Sequence, residues 1–367
     1  MQLNKVPKTI CFITPTLDAG GIENYLLRFL KYIENNNNNI TVICRSQNYG
    51  DLEPKYEKLP IEIIHQPLGY INIKNILIYR KILKKKKFDT IVDFNGNFTG
   101  IVMILSILLG ISNRITFYRR SSDAFNKNLF NNLYNWFLNI LVFRFSTKIL
   151  SNSKSALDYF FENKYIGNSK FKVIKNGVDP KIFNFNYNKI ELKIKYGLPL
   201  EKKIVGHIGR YDKAKNHETI FQVANKLVND NFHFVFCGIG TNSVEFLSKL
   251  EEYSIANIST CLGIQDKVEE ILNTFDIFYF PSITEGQPNA LIEAMMCNIP
   301  FLASNIDPIK EVIPKKFFTK LVDPLDEIDA VKKLSESDVI VFSKNELNEF
   351  IDLFNSDTRF ADFNSEI

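Results

Sequence analysis

Four charged side chains in the second half of this 367-residue chain have the types and spacing of ligand-holding groups: Arg210, Lys215, Glu285 and Glu293. In GRYDKAKN, two cations follow the apolar run KKIVGHI, a strand pattern ending at Gly209. Arginine can fork onto one phosphate while a flexible lysine acts as a point charge on the next. The pair therefore suits a diphosphate and the negative charge left when a bond to it breaks. In TEGQPNALIEAM, Glu285 and Glu293 bracket a loop and a helix start. Pro288 suits the first helical position, and the turn through Gly286, Gln287, Pro288, Asn289 and Ala290 brings backbone amides and the positive end of a helix dipole. A carboxylate repels phosphate but accepts hydrogen bonds from sugar hydroxyls, so two of them flanking an anion site suggest polyols on either side of a diphosphate, which describes a nucleotide sugar. Taken singly, each of the four reads as a solvated surface charge; the pattern gives them weight.

The elements needed to position these groups are legible as alternating strand and helix patterns. TICFITP, ITVICR, IEIIH and DTIVDF are β-branched runs separated by helical stretches, the first helix running from Gly21 to about Glu34. A second series, VGHIGR, FHFVFCG, ISTCLG, IFYFP and IPFLAS, has helices starting near Asn216, Asn242, Asp266 and Pro288, with Asn216 as a cap. The alternation predicts an α/β chain of two Rossmann-like, doubly wound parallel sheets facing a cleft. Expected domains are 1–185 and 186–342, followed by a helical tail, 343–367. The asparagines Asn35 to Asn39 read as the loop closing the first helix.

Composition narrows the class. Hydrophobic residues make up 45% and charged residues 23%, as in a folded globular chain, and a net charge of +4 is too small to imply nucleic-acid binding. Five scattered cysteines without C-x-x-C spacing indicate neither a zinc site nor a disulfide framework. Without an apolar signal core or a spanning segment, the expectation is a cytoplasmic protein. In PTLDAGGIENYL, Gly20 and Gly21 let backbone approach a ligand closely, but this is not G-x-G-x-x-G. The second strand ends in Cys44 and Arg45 rather than an acid, which excludes a nicotinamide dehydrogenase.

In order, GGIENYL, SNS, KNGVDP, GRYDKAKN and TEGQPNALIEAM resemble the retaining glycosyltransferases of family 4, over nearly the whole chain. The resemblance implies the two-domain GT-B fold, with the acceptor bound by 1–185, the nucleotide sugar by 186–342 and the tail 343–367 able to cross back to the first domain. It also implies a donor that is usually UDP-linked, and no metal or other cofactor. It assigns the diphosphate to Arg210 and Lys215, the ribose to Glu293, the donor sugar to Glu285, the base to Gly263 and Ile264, and a donor approach from the opposite domain to Gly20 and Gly21. One departure is the absence of the histidine that many relatives place after the fourth strand; DTIVDFNGNF offers Asn95 and Asn97 instead.

The acceptor half carries KNILIYRKILKKKKF and the aromatic-rich FNNLYNWFLNILVFRF. These read either as amphipathic core helices or as a peripheral membrane surface on the inner face of the cytoplasmic membrane. On the second reading the acceptor is a polyprenyl-diphosphate-linked saccharide in capsule, O-antigen or exopolysaccharide synthesis, with Arg119 and Arg120 as contacts. The competing activity is a nucleotide-sugar epimerase of the same fold, which needs extra acid–base groups that the four histidines supply only at His207, near a strand end.

Overall fold

The computed structural model describes residues 7–69, 72–120, 129–183 and 187–367. The chain divides into two compact units, the first comprising Met1–Asn176 and Asp357–Ile367 and the second Gly177–Ser356. The expected boundary at residues 185 and 186 lies outside the described residues.

Among the described residues, unit 1 holds seven parallel strands: β1 (Thr9–Thr14), β2 (Asn39–Cys44), β3 (Glu62–His65), β4 (Thr90–Asp93), β5 (Asn113–Tyr118), β6 (Lys148–Ser151) and β7 (Phe171–Val173). They lie in the order β3-β2-β1-β4-β5-β6-β7. Both faces are covered, which is why the strands read as continuous apolar runs rather than alternating ones. On one face, Phe12, Phe94 and Phe117 meet Tyr25 and Phe29 of the helix Gly21–Ile33. On the other, Cys11, Ile13 and Ile91 meet the helices Ile73–Lys86 and Gly100–Leu108, and Tyr118 and Ile149 meet Val142 of the helix Leu129–Phe145. The asparagine run behaves as expected up to Asn38, with Asn37 left-handed at φ 51°, but Asn39 is the first residue of β2, where its backbone pairs with Thr9.

Unit 2 holds β8 (Lys203–Ile208), β9 (Phe232–Cys237), β10 (Ser259–Gly263), β11 (Ile277–Phe280) and β12 (Phe301–Ala303), all parallel, in the order β10-β9-β8-β11-β12. In each sheet the strand order reverses once, between β1 and β4 and between β8 and β11. In doubly wound sheets such a reversal opens a crevice at the carboxyl ends of the two strands.

The tail is split between the units. The helix Lys344–Phe354, started by a capping box in which Ser343 and Glu346 bond reciprocally, buries Phe350 and Phe354 in unit 2. The next helix, Ser356–Asn364, puts Phe360 and Phe363 into the core of unit 1.

Candidate active site

Three of the charged residues singled out by spacing, Arg210, Lys215 and Glu285, lie on the two loops that flank the reversal point of the second sheet, and Glu293 lies on the helix that follows the second loop. After β8, Gly209 and Arg210 lead into a tight turn in which Asp212 accepts the Lys215 amide at 3.2 Å. This turn aims the Lys215 stem across Gly209, where a Cβ would come 3.1 Å from Lys215 Cγ and 2.9 Å from His207 Nε2. Lys215 Nζ then sits 5.0 Å from the Phe280 ring centroid and 2.5 Å from Glu285 Oε1 on the loop after β11. The side chains are 20% and 9% exposed, and the Ile283 amide donates to Ala214 O at 2.8 Å, so the two loops are tied by backbone as well as charge. Arg210 is exposed and makes no ion pair among the described residues.

Two details of capping differ from expectation. Pro288 is the N-cap of the helix Asn289–Met296, one residue before the first helical position, because its ψ of 77° is not helical. Asn216 stands at the N-cap of the helix His217–Lys226 in the left-handed region, with φ 58°. Its side chain does not accept a helix amide; it donates to Pro281 O at 3.1 Å and Pro324 O at 2.6 Å and accepts from Thr219 Oγ1. Asn216 therefore pins the lysine turn to the strand after which Glu285 emerges. Glu293, one helical turn past Asn289, is buried rather than solvent-facing, and its charge, after burial itself, helps push the Cys297 thiol up.

The strand-end glycines form the floor of this edge. The Gly238 amide donates to Gly263 O at 2.8 Å, and a Cβ on Gly238, at φ 135°, would fall 2.3 Å from Gly209 O. Gly263, at φ 62°, would place a Cβ 2.7 Å from Asn242 Nδ2, and the following Ile264 is 56% exposed. Sequence reasoning missed Gly238, Gly240 and the buried Thr241, although C-G-I-G-T directly after a strand pattern is the same kind of signal as the glycines it used.

His207 and His217 lie under this edge, fully buried, with ring centroids 4.8 Å apart. Burial pushes them down to about 4 and about 2, opposed at His207 by the Tyr279 carbonyl and reinforced at both by Lys215 and at His217 also by His207, so both are neutral near pH 7. His207 Nδ1 donates to Tyr279 O at 3.0 Å, which leaves Nε2 unprotonated. A buried, neutral imidazole of this kind packs the lysine turn rather than exchanging protons with a substrate, and the epimerase reading is not favoured.

The remaining candidates belong to unit 1, at the corresponding edge of its own sheet. Gly20 caps the helix Gly21–Ile33 in extended conformation, and its carbonyl accepts from the Asn24 side chain at 3.0 Å. Asn95 donates backbone and side-chain N–H to Asp93, which also binds Arg45 at 2.6 Å. Burial raises the Asp93 carboxyl, and Arg45 opposes that. Asn97 is buried, donating to Asn135 and accepting from Arg120 at 3.2 Å. Arg119 lies 3.9 Å from the Tyr25 ring centroid and donates to Asn176 at 2.6 Å; burial pushes it down to about 10, still a cation at neutral pH. Its Nη1 is buried with no partner among the described residues.

Family models match both halves of the chain: Glycosyltransferase Family 4 over residues 19–182 and Glycosyl transferases group 1 over residues 188–337. A capsular polysaccharide biosynthesis glycosyltransferase of Staphylococcus aureus, CapH, is 29% identical over 83% of both chains. An Escherichia coli UDP-Gal:alpha-D-GlcNAc-diphosphoundecaprenol alpha-1,3-galactosyltransferase is 25% identical over 92% of this chain and 90% of its own. The structure of HepE from Anabaena, in complex with UDP and glucose, superimposes with a TM-score of 0.79 at 16% identity over 98% of each chain, a likeness of fold. With two doubly wound units and both family models in place, the chain belongs to the family 4 glycosyltransferases of GT-B fold, of the surface-polysaccharide type.

Proposed function

We propose that the enzyme moves a hexose or N-acetylhexosamine from a UDP-sugar to a saccharide carried on a polyprenyl diphosphate, with retention of configuration. The observation that carries this reading is the Lys215–Glu285 ion pair across the reversal point of the second sheet. It puts a cation for the departing phosphate beside a carboxylate for sugar hydroxyls. In this reading Arg210 and Lys215 hold the diphosphate, Glu293 the ribose, Glu285 the donor sugar, and the exposed Ile264 beside Gly263 packs on the base. The bond from the anomeric carbon to the β-phosphate oxygen breaks as the acceptor oxygen bonds on the same face. The acceptor proton passes to the leaving phosphate, so the protein supplies charge and position rather than a nucleophile. Arg119 and Arg120 in unit 1 are assigned to the acceptor's diphosphate, and Asn95 and Asn97 to positioning around them. Support comes from HepE, solved with UDP and glucose, and from the E. coli relative, named for a UDP-Gal donor and a diphosphoundecaprenol-linked acceptor.

The test is a panel of UDP-sugars with a synthetic polyprenyl-diphosphate-linked saccharide. UDP release and the anomeric configuration of the product are followed by NMR. Acceptor-dependent release with the donor's configuration, undiminished by EDTA, is expected. An inverted product, or activity abolished by the chelator, would overturn the mechanism.

A further inference from the structure

Three helices of unit 1, Ile73–Lys86, Gly100–Leu108 and Leu129–Phe145, cover one face of the first sheet. None of them contains an aspartate or glutamate, in a chain where 41 of 367 residues are acidic. They carry six cations between Lys74 and Lys86, and Arg144. On the last helix, Leu133, Trp136, Phe137, Ile140 and Phe143 are exposed, Leu133 and Trp136 by more than 60%. Their spacing confines them to an arc of about 120° opposite the buried Asn135, Leu138 and Val142. A contiguous apolar stripe of this kind is rare on a surface that meets only water.

Charge frames the stripe. At its C-terminal end Arg144 is exposed, and Lys170 Nζ lies 5.3 Å from the Phe143 ring centroid. Burial, then the nearby Arg114 and Arg144, holds the Lys170 ammonium below its ordinary range, which marks three crowded cations. On the first helix, exposed Ile73 and Leu77 share a side with Arg80, Lys81 and Lys84. Like charges so placed repel one another, and an anionic partner relieves that repulsion. Among the described residues no helix is long and apolar enough to cross a membrane.

We infer that this face docks on an anionic bilayer surface, the aromatic stripe entering the headgroup layer and the flanking cations meeting lipid phosphates. The inference deepens the reading of a lipid-linked acceptor, yet it is measurable with no substrate present. Trp136 is the chain's single tryptophan, so its fluorescence reports the stripe alone. The experiment mixes the full chain with phosphatidylcholine vesicles, with vesicles also containing phosphatidylglycerol, and with free glycerol phosphate. A blue shift and co-sedimentation with the anionic vesicles only, weakening as salt is raised, are expected. Phe137→Ser with Ile140→Ser should weaken vesicle binding about tenfold or more while UDP affinity, the folding control, stays at the wild-type value. Lys81→Glu with Lys84→Glu should weaken binding chiefly at low salt. No shift at low salt, wild-type vesicle binding in the variants, or a blue shift that grows with protein concentration without vesicles, pointing to a second copy, would overturn the proposal. Vesicle binding without sugar transfer would count against the transfer reading alone.

Discussion

At the residue scale, Lys215 is already engaged by Glu285, so a bound diphosphate shares a cation that also orients the carboxylate beside it. Glu285→Gln keeps the shape but removes that charge. It should lower kcat by about 100-fold or more, with a smaller change in donor KM, in steady-state assays of UDP release. Gly238→Ala tests the floor. At φ 135° and with a carbonyl 2.3 Å from the new Cβ, it should destabilise unit 2 by roughly 2 kcal/mol or more in denaturant unfolding. The four charged residues were legible because each sits inside a local strand–loop–helix frame that spacing reveals. Their pairing was not, since Lys215 and Glu285 are seventy positions apart and meet only when β8 and β11 become neighbours. The part played by Asn216 was hidden for the same reason: its carbonyl partners, Pro281 and Pro324, come from distant segments.

At the element scale, the alternating patterns marked β1 to β4 and β8 to β12 but not β5, β6 and β7, because parallel strands covered on both faces leave apolar runs that stand out only where turn residues punctuate them. The destination of the last helix was suggested by the resemblance alone and not by its residues, because a helical pattern states which face is apolar and not what it meets. Phe363 is fully buried, 4.5 Å from Phe29 in ring-centroid distance, and Glu366 pairs with Lys148 and Lys172 at 2.9 and 2.6 Å. Burial works against the Glu366 charge, but the two lysines hold its carboxyl below the ordinary range. Phe363→Ala should therefore cost about 3–5 kcal/mol. Hydrogen exchange should show the loss in the strands of unit 1 while those of unit 2 keep their protection.

At the scale of the whole molecule, the two units should respond differently to acid. In unit 2, His207 and His217 are held at about 4 and about 2, below the unfolded value near 6.5. Their contribution is full above pH 6.5 and is lost as pH falls, because the unfolded chain takes up protons that the folded unit refuses. At pH 5 this amounts to roughly 2 kcal/mol each. In unit 1, burial opposes the charge on His65, but the Ser46 carbonyl and Glu53, 2.6 Å away, outweigh it and raise its value. Its contribution is full below pH 6.5 and fades as pH rises through the raised folded value. Calorimetry at pH 7 and pH 5 should accordingly find unit 2 melting earlier at the lower pH, with unit 1 little changed.

The most direct test of the central claim is calorimetric titration of UDP into the wild type and into Arg210→Ala, Lys215→Ala and Glu293→Gln. One saturable site is expected, weakened about tenfold or more by each substitution, in line with the loss of a charge-assisted contact. UDP binding of unchanged affinity in all three variants would contradict the account.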